Sequence, residues 1–294
     1  MNDIGTPNRT AEILNEFGLN AKKSLGQNFI IDRNILINMV SSSSIDEHTT
    51  VIEVGPGIGA LTEQIAKVAK RVFAFEIDQR MLEVLNETLA PYNNVTVFHQ
   101  DILEVDWEEF QQEHLAPNEK VVVMANLPYY ITTPILMNLF ESSLPFSEII
   151  VMMQKEVADR LQAKPSTKEY GSLSIAVQSQ VEVDVLFDVP PTVFNPQPNV
   201  YSSVIKFSPL EEPEEIINRK FFSELTRASF AQRRKTLWNN LRALYKNDKD
   251  ILEQVKIVLE KAEIDPSRRA ESLTIKEFVL LSNLLFENNL TVKK

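Results

Sequence analysis

The chain contains no cysteine, which excludes disulfides and thiolate metal sites. Its three histidines, His48, His99 and His114, are scattered and show no metal-ligand spacing. No stretch approaches the ~18 apolar residues of a membrane-spanning helix. The opening residues lack the basic region and apolar run of a secretory signal. There is no internal repeat and no low-complexity tract. These absences predict a cytoplasmic protein with no membrane contact and no metal.

Positive charge is also scarce. Thirty Lys and Arg stand against 41 Asp and Glu, a net charge of −11. Taken alone, this argues against nucleic acid, because phosphate binding leaves a basic footprint. The average hides an asymmetry: from Arg219 to Lys249 the chain is +7, so the remainder is −18. A split of this kind is a better guide to partners than the total.

What is present reads as an ordinary globular chain. Its 294 residues, 44% hydrophobic and 24% charged, suit one large domain or one large and one small. After a leading segment with a helix around 9–17, strands and helices alternate. Strands are predicted at 51–54, 71–76, 95–98, 121–125 and 147–153, and helices at about 60–69, 78–90 and 132–140. This alternation predicts an α/β fold with a parallel sheet covered on both faces. Residues 172–183 and 200–207 read as two further strands without a helix between them, an antiparallel end to the sheet. The acidic, proline-punctuated stretch 208–215 marks a boundary. Beyond it, the apolar periodicity predicts helices only.

The first strand runs into Val54-Gly55-Pro56-Gly57-Ile58-Gly59. Glycines here let the backbone turn sharply and a ligand approach it closely. Glu76 ends the second strand, where a carboxylate can accept both ribose hydroxyls of an adenosine. These two features leave NAD and S-adenosylmethionine both open. The third glycine falls one position early for the dinucleotide pattern, which disfavours NAD. Asp101, just past the third strand, is placed to accept the adenine amine of such a cofactor; alone, it reads equally as a helix cap.

Asn126-Leu127-Pro128-Tyr129 follows the fourth strand and so points into the same crevice, beyond the carboxyl ends of the strands. An adenine amine is a poor nucleophile, because its lone pair is delocalised into the ring. Two acceptors on its two N–H groups, the Asn126 side-chain oxygen and a neighbouring backbone carbonyl, hold it and make the nitrogen more tetrahedral. Pro128 restricts Leu127 to extended conformations, and Tyr129 can stack on a flipped-out base.

With these residues in view, the chain resembles the bacterial small-subunit type of ribosomal RNA adenine N6,N6-dimethyltransferases. The resemblance rests on Lys22-Lys23-Ser24-Leu25-Gly26-Gln27-Asn28-Phe29, Glu53 to Thr62, Asn126-Leu127-Pro128-Tyr129-Tyr130 and Val193 to Ser203. It implies a class I methyltransferase, Rossmann-like sheet with a smaller all-helical C-terminal domain. Residues 1–208 would bind S-adenosylmethionine and carry catalysis, and residues 209–294 would bind RNA. Asn28 and Ile30 would close over the cofactor, with Ile30 standing where leucine is expected. Gly55 would pass beside its methionine part, Glu76 would take the ribose, Asp101 and Ile102 would hold its adenine, and Asn126 would border it. Asn126 and Leu127 would accept from the target amine, and Tyr129 and Phe194 would sandwich the target base. Tyr130 has no assigned role.

The implied substrate is two adjacent adenosines in a hairpin loop near the 3′ end of 16S rRNA, within an immature 30S particle, acted on by a monomer. Arg227, Arg233, Arg234, Lys235 and Arg242 would then grip phosphates; a solvated helix face is the bland alternative. Phe230 and Trp238 read as core rather than stacking platforms. Three rivals stay open: a large-subunit rRNA adenine methyltransferase, a DNA adenine methyltransferase, and an assembly factor with methylation secondary.

Overall fold

The structure is a computed structural model that describes residues 3–22 and 25–291. Lys23 and Ser24 of the leader motif lie outside the described residues. The leader forms helix α1 (Pro7–Glu16), a short strand β1 (Phe29–Ile30) and helix α2 (Arg33–Ser41), whose N-cap Asp32 accepts from the Asn34 N–H. Alternating elements follow: β2 (Thr50–Val54), α3 (Ala60–Ala66), β3 (Arg71–Glu76), α4 (Gln79–Thr88), β4 (Val95–His99), α5 (Trp107–His114), β5 (Val121–Asn126), α6 (Thr132–Glu141), β6 (Phe146–Gln154) and α7 (Lys155–Leu161). The chain continues through α8 (Ser172–Gln178), β7 (Val181–Val189), β8 (Phe194–Asn195) and β9 (Ser202–Pro209). It ends in α9 (Arg219–Ser229), α10 (Leu237–Leu244), α11 (Lys249–Lys261) and α12 (Ile275–Glu287).

Seven strands form one sheet in the order β4-β3-β2-β5-β6-β9-β7. β4 to β6 are parallel, in register from Val51 beside both Val72 and Val122. β9 runs antiparallel to β6, the antiparallel end expected from the sequence. The central strands β2 and β5 are buried along almost their whole length, as a sheet covered on both faces requires. Strand order reverses between β2 and β5: the chain first builds outward to β4, then returns to add β5 on the other side of β2. In such sheets the crevice at the reversal is where ligands bind.

One element differs from the sequence expectation. Ser172–Val183 is not a strand but helix α8 followed by the start of β7. Leu173, Ile175 and Val177 alternate with period two, which mimics a strand. Tertiary bonds decide otherwise: Ser174 Oγ donates to the Arg160 carbonyl at 2.6 Å, and Gln178 Nε2 donates to the Leu161 and Ala163 carbonyls. Helices α2, α5 and α7 add to the elements expected from sequence; each is short, with little periodic signal.

The chain divides into two compact units, Met1–Ala158 with Val183–Pro209, and Asp159–Glu182 with Leu210–Lys294. The second division falls next to the expected boundary at 208/209. The second unit also takes in Asp159–Glu182, which a contiguous split at that point misses. The reason is packing: Tyr170 and Ile175 are fully buried in a core with Phe221, Leu225, Leu237, Leu241 and Phe278. The Tyr170 hydroxyl donates to the Leu273 carbonyl at 2.9 Å.

Candidate active site

Four successive strand ends in the first unit carry the residues singled out from sequence. In spatial order they are Asp101 after β4, Glu76 at the end of β3, Gly55 after β2 and Asn126 at the end of β5. Strands lie about 4.8 Å apart, so the row spans about 14 Å. All four residues line one cleft, with about 1130 Å³ of empty space partly open to solvent. Asn28, Ile30, Ile102, Leu127 and Tyr129 line it too.

The glycine turn has three left-handed residues: Gly55 at φ +67°, Gly57 at +59° and Gly59 at +90°. A Cβ built on Gly55 would meet no atom within 4 Å beyond its chain neighbours, so the space beside it is open. The Gly57 N–H donates to Glu76 Oε2 at 3.1 Å, and the Asp78 N–H to Oε1 at 2.8 Å. Glu76 is thereby fixed with one lone pair on each oxygen still available. Its burial raises its pKa, and the backbone N–H groups of Asp78, Gly57 and Ile77 partly offset this.

Glu53, at the head of the glycine-turn motif, is a cleft residue not singled out on its own from sequence. It is fully buried, its Oε2 has no hydrogen-bond partner among the described residues, and it lines the cleft. Burial pushes its pKa up to about 8; the neighbouring Thr62 hydroxyl tempers the shift and the Glu76 charge adds to it. Thr62 Oγ1 is itself without a partner, so the pair falls short of a formed hydrogen bond. An orphaned buried carboxyl in a cleft is a costly feature, and it suits a ligand bearing positive charge.

The leader crosses this cleft. β1 pairs antiparallel with β8, Phe29 beside Asn195 and Ile30 beside Phe194, and the Ile31 N–H donates to the Val193 carbonyl. Gln27 Nε2 donates to Asp78 Oδ2 at 3.0 Å and Lys22 Nζ to Oδ1 at 3.3 Å, while the Lys22 N–H donates to Gln27 Oε1. Asp78 also binds the Arg80 guanidinium, which holds its carboxyl well below the usual carboxylate range. Leu25, Gly26 and Gln27 thus join the cleft wall. Asp101 does cap: its Oδ1 accepts from the Leu103 N–H at 2.9 Å, leaving Oδ2 free among the described residues. Ile77, 53% exposed at the cleft edge, is a further lining residue that sequence gave no means to single out.

At the other end of the row, Asn126 Nδ2 donates to the Asn28 backbone carbonyl at 3.1 Å. A carbonyl can only accept, so this bond sets which end of the amide faces the leader. Oδ1 is left for the cleft, with no donor among the described residues. The Leu127 N–H donates to the Met152 carbonyl, and the Pro128 carbonyl is taken by the Ile131 N–H and the Thr132 hydroxyl. No described donor reaches the Leu127 carbonyl. The Tyr129 hydroxyl shares a 2.7 Å hydrogen bond with Ser202 Oγ, and burial raises its pKa.

Phe194, the second candidate for the base sandwich, lies in β8. Phe194 is 3% exposed, packs in the core with Phe29 and Ile30, and does not line the cleft. Its β-strand position explains this: in β8 the pleat turns Phe194 inward and Asn195 outward.

The five basic residues lie in the second unit and are all exposed. Arg227, Arg234 and Lys235 have no side-chain partner among the described residues. Arg242 Nε donates to Asn247 Oδ1. Arg233 is otherwise engaged: it pairs with Glu271 at 3.0 Å and donates to the Thr167 and Tyr170 carbonyls. It clasps the 166–171 loop, so its guanidinium is largely occupied. Phe230 and Trp238 pack on the core, as expected. Among the described residues there is no cluster of His, Asp or Glu able to hold a metal and no helix long and apolar enough to cross a membrane.

The pattern of a family described as ribosomal RNA adenine dimethylase matches residues 18–280. Ribosomal RNA small subunit methyltransferase A of Bacillus licheniformis is 55% identical over 97% of this chain and 98% of its own length. The Bacillus pumilus protein of the same name is 56% identical over 96% and 97%. Among solved structures, a dimethyladenosine transferase from Plasmodium falciparum superposes with a TM-score of 0.76 at 26% identity, covering 90% of this chain and 99% of that one. The 23S rRNA methyltransferase ErmE shares the fold, with a TM-score of 0.64 at 22% identity over 88% of this chain and 100% of its own.

Proposed function

The chain belongs to the ribosomal RNA adenine dimethylase family, S-adenosylmethionine-dependent enzymes, and from that premise we propose that it dimethylates two adjacent adenosines in a hairpin loop near the 3′ end of 16S rRNA. Its substrate in this reading is an immature 30S particle, and it acts as a cytoplasmic monomer in small-subunit biogenesis. The near full-length identity to proteins named for the small subunit favours this over large-subunit RNA.

The cleft fits the cofactor. Glu76 would take the ribose hydroxyls on its free lone pairs, Asp101 Oδ2 the adenine amine, and Ile102 and Ile77 the ring faces. The open side of Gly55 would admit the methionine part, with Asn28, Ile30 and Asn126 around it, and the orphaned Glu53 carboxyl answers its positive charge. Bound there, S-adenosylmethionine supplies an electrophilic methyl group.

The remaining work belongs to the Asn126 loop, and the observation that carries the reading is the pair of free acceptors there. Asn126 Oδ1 and the Leu127 carbonyl would accept the two N–H groups of the target amine, which localises the nitrogen lone pair. Tyr129, anchored by Ser202, would stack on the flipped base. On transfer the new N–C bond would form as the methyl–sulfur bond breaks, the sulfonium leaving as a neutral thioether; the nitrogen would become a cationic ammonium, acidic enough to shed its proton to water. No strong base is needed. After the first transfer only one N–H remains, so stacking on Tyr129 carries more of the hold in the second.

The basic residues of the second unit would grip phosphates, positioning the RNA while the loop selects the base. Mapping dimethyladenosine by mass spectrometry in 16S rRNA from a deletion strain and its parent tests the reading: both adenosines should lose the modification together. Rescue of slow growth by an Asn126→Ala protein would instead favour an assembly role with methylation secondary.

A further inference from the structure

Two consecutive tyrosines follow Pro128, and their surroundings differ. Tyr129 is half-buried and tied to Ser202; Tyr130 is 59% exposed, and no described residue bonds to its hydroxyl. Both line the same cleft. Tyr130 is nonetheless not loose. A Cβ built on Gly26 would fall 3.2 Å from Tyr130 Cδ1 and 3.4 Å from Pro128 Cβ, so one edge of the ring packs against the leader where it has no side chain. Gly26 itself sits at φ +60°, which suits glycine. The result is a steadied aromatic ring with much of its surface open to solvent, beside the target pocket.

We propose that Tyr130 is a stacking platform for the nucleotide next to the adenine being methylated. The inference rests on the RNA adenine substrate proposed above. When one base is flipped into a pocket, its neighbour loses a stacking partner and is left at the mouth. An aromatic side chain there replaces the lost stack, and it does so for any base because every base presents a π-face. With two adjacent adenosines as substrate, that neighbour is the other target. Tyr130 thus holds the second adenosine while the first is modified and keeps the RNA in place between transfers. Tyr130 is a positioning residue in this role.

The experiment uses the full-length protein and unmethylated 30S particles from a deletion strain. Tyr130→Ser should raise KM for the particle about 5- to 150-fold, the cost of one base–aromatic stack. Particles with only one of the two adenosines modified should accumulate during the time course. Tyr130→Phe should restore both properties, since the ring and not the hydroxyl is needed. Tyr130→Leu, which keeps an apolar side chain against Gly26, should behave like the serine variant. Cofactor affinity by calorimetry should match wild type in all three. Wild-type KM and a wild-type ratio of singly to doubly modified particles in the serine and leucine variants would overturn the proposal, as would a phenylalanine variant as impaired as serine. A wild-type protein that modifies no adenine of the particle would instead remove the substrate reading beneath it.

Discussion

Asn126 owes its orientation to a single bond to the leader: with Nδ2 held by the Asn28 carbonyl, Oδ1 is the atom left for the cleft. At saturating S-adenosylmethionine, Asn126→Ala should therefore cut single-turnover methyl transfer by about 10²–10³, the usual cost of one preorganised polar contact; near-normal transfer on bound particles would refute the role. Glu53 supports a pH prediction. Its folded pKa of about 8 lies above its ordinary 4.5. A carboxyl raised on folding contributes most below its unfolded pKa, and that stability is lost as pH rises toward the folded value, because the unfolded chain ionises first. Between pH 5 and 8 the cofactor-free protein should thus lose thermal stability relative to Glu53→Gln, with the difference levelling off above pH 8. Parallel melting curves across that range check this. Neither property was legible in the sequence. Glu53 stands at the head of the glycine-turn motif, but its missing partner is a fact of packing, and so is the burial of Phe194 in β8.

At the scale of elements, the leader forms one wall of the cleft. Short pairing with β8 and the Gln27 and Lys22 contacts to Asp78 fasten it across the cleft. Asp78 stays ionised far into the acid range, so these contacts persist at neutral pH. Gln27→Ala removes one charge-assisted contact and the brace to the Lys22 N–H. It should weaken S-adenosylmethionine binding up to about tenfold, somewhat less than a fully buried bond of this type because the site is partly exposed. RNA affinity in the absence of cofactor should not move. Calorimetry and filter binding separate the two, and unchanged cofactor affinity would show that the leader closes without this bond. Most elements were legible because parallel strands here are continuous apolar runs bounded by turn residues. The α8 helix was not, since its period-two apolar pattern is decided by the bonds from Ser174 and Gln178.

The whole molecule is acidic, and its second unit carries the +7 segment. An acidic body repels RNA, so productive docking should lean on the free basic side chains. Arg233 is a poor test of this, since it clasps Thr167, Tyr170 and Glu271 and its loss would unsettle the unit. Reversing Arg234 and Lys235 to glutamate is cleaner. The double variant should bind the particle more weakly and show a shallower salt dependence, by about 0.7–0.9 in log–log slope for each RNA phosphate no longer neutralised. Cofactor affinity should be unaffected. Titrations at several salt concentrations decide it: an unchanged slope would mean these residues are only a solvated surface.

The sequence by itself determined the alternating fold, the cleft-lining motifs and the family, because glycine turns, strand ends and the Asn-Leu-Pro-Tyr loop are local patterns with local physical causes. Only the tertiary structure decided which acceptors stay free, which arginine is already spent, where the second unit recruits its extra segment and which of two tyrosines faces solvent. Those outcomes depend on partners far apart in the chain, such as Asn28 with Asn126 and Tyr170 with Leu273, and no local pattern encodes such a pairing.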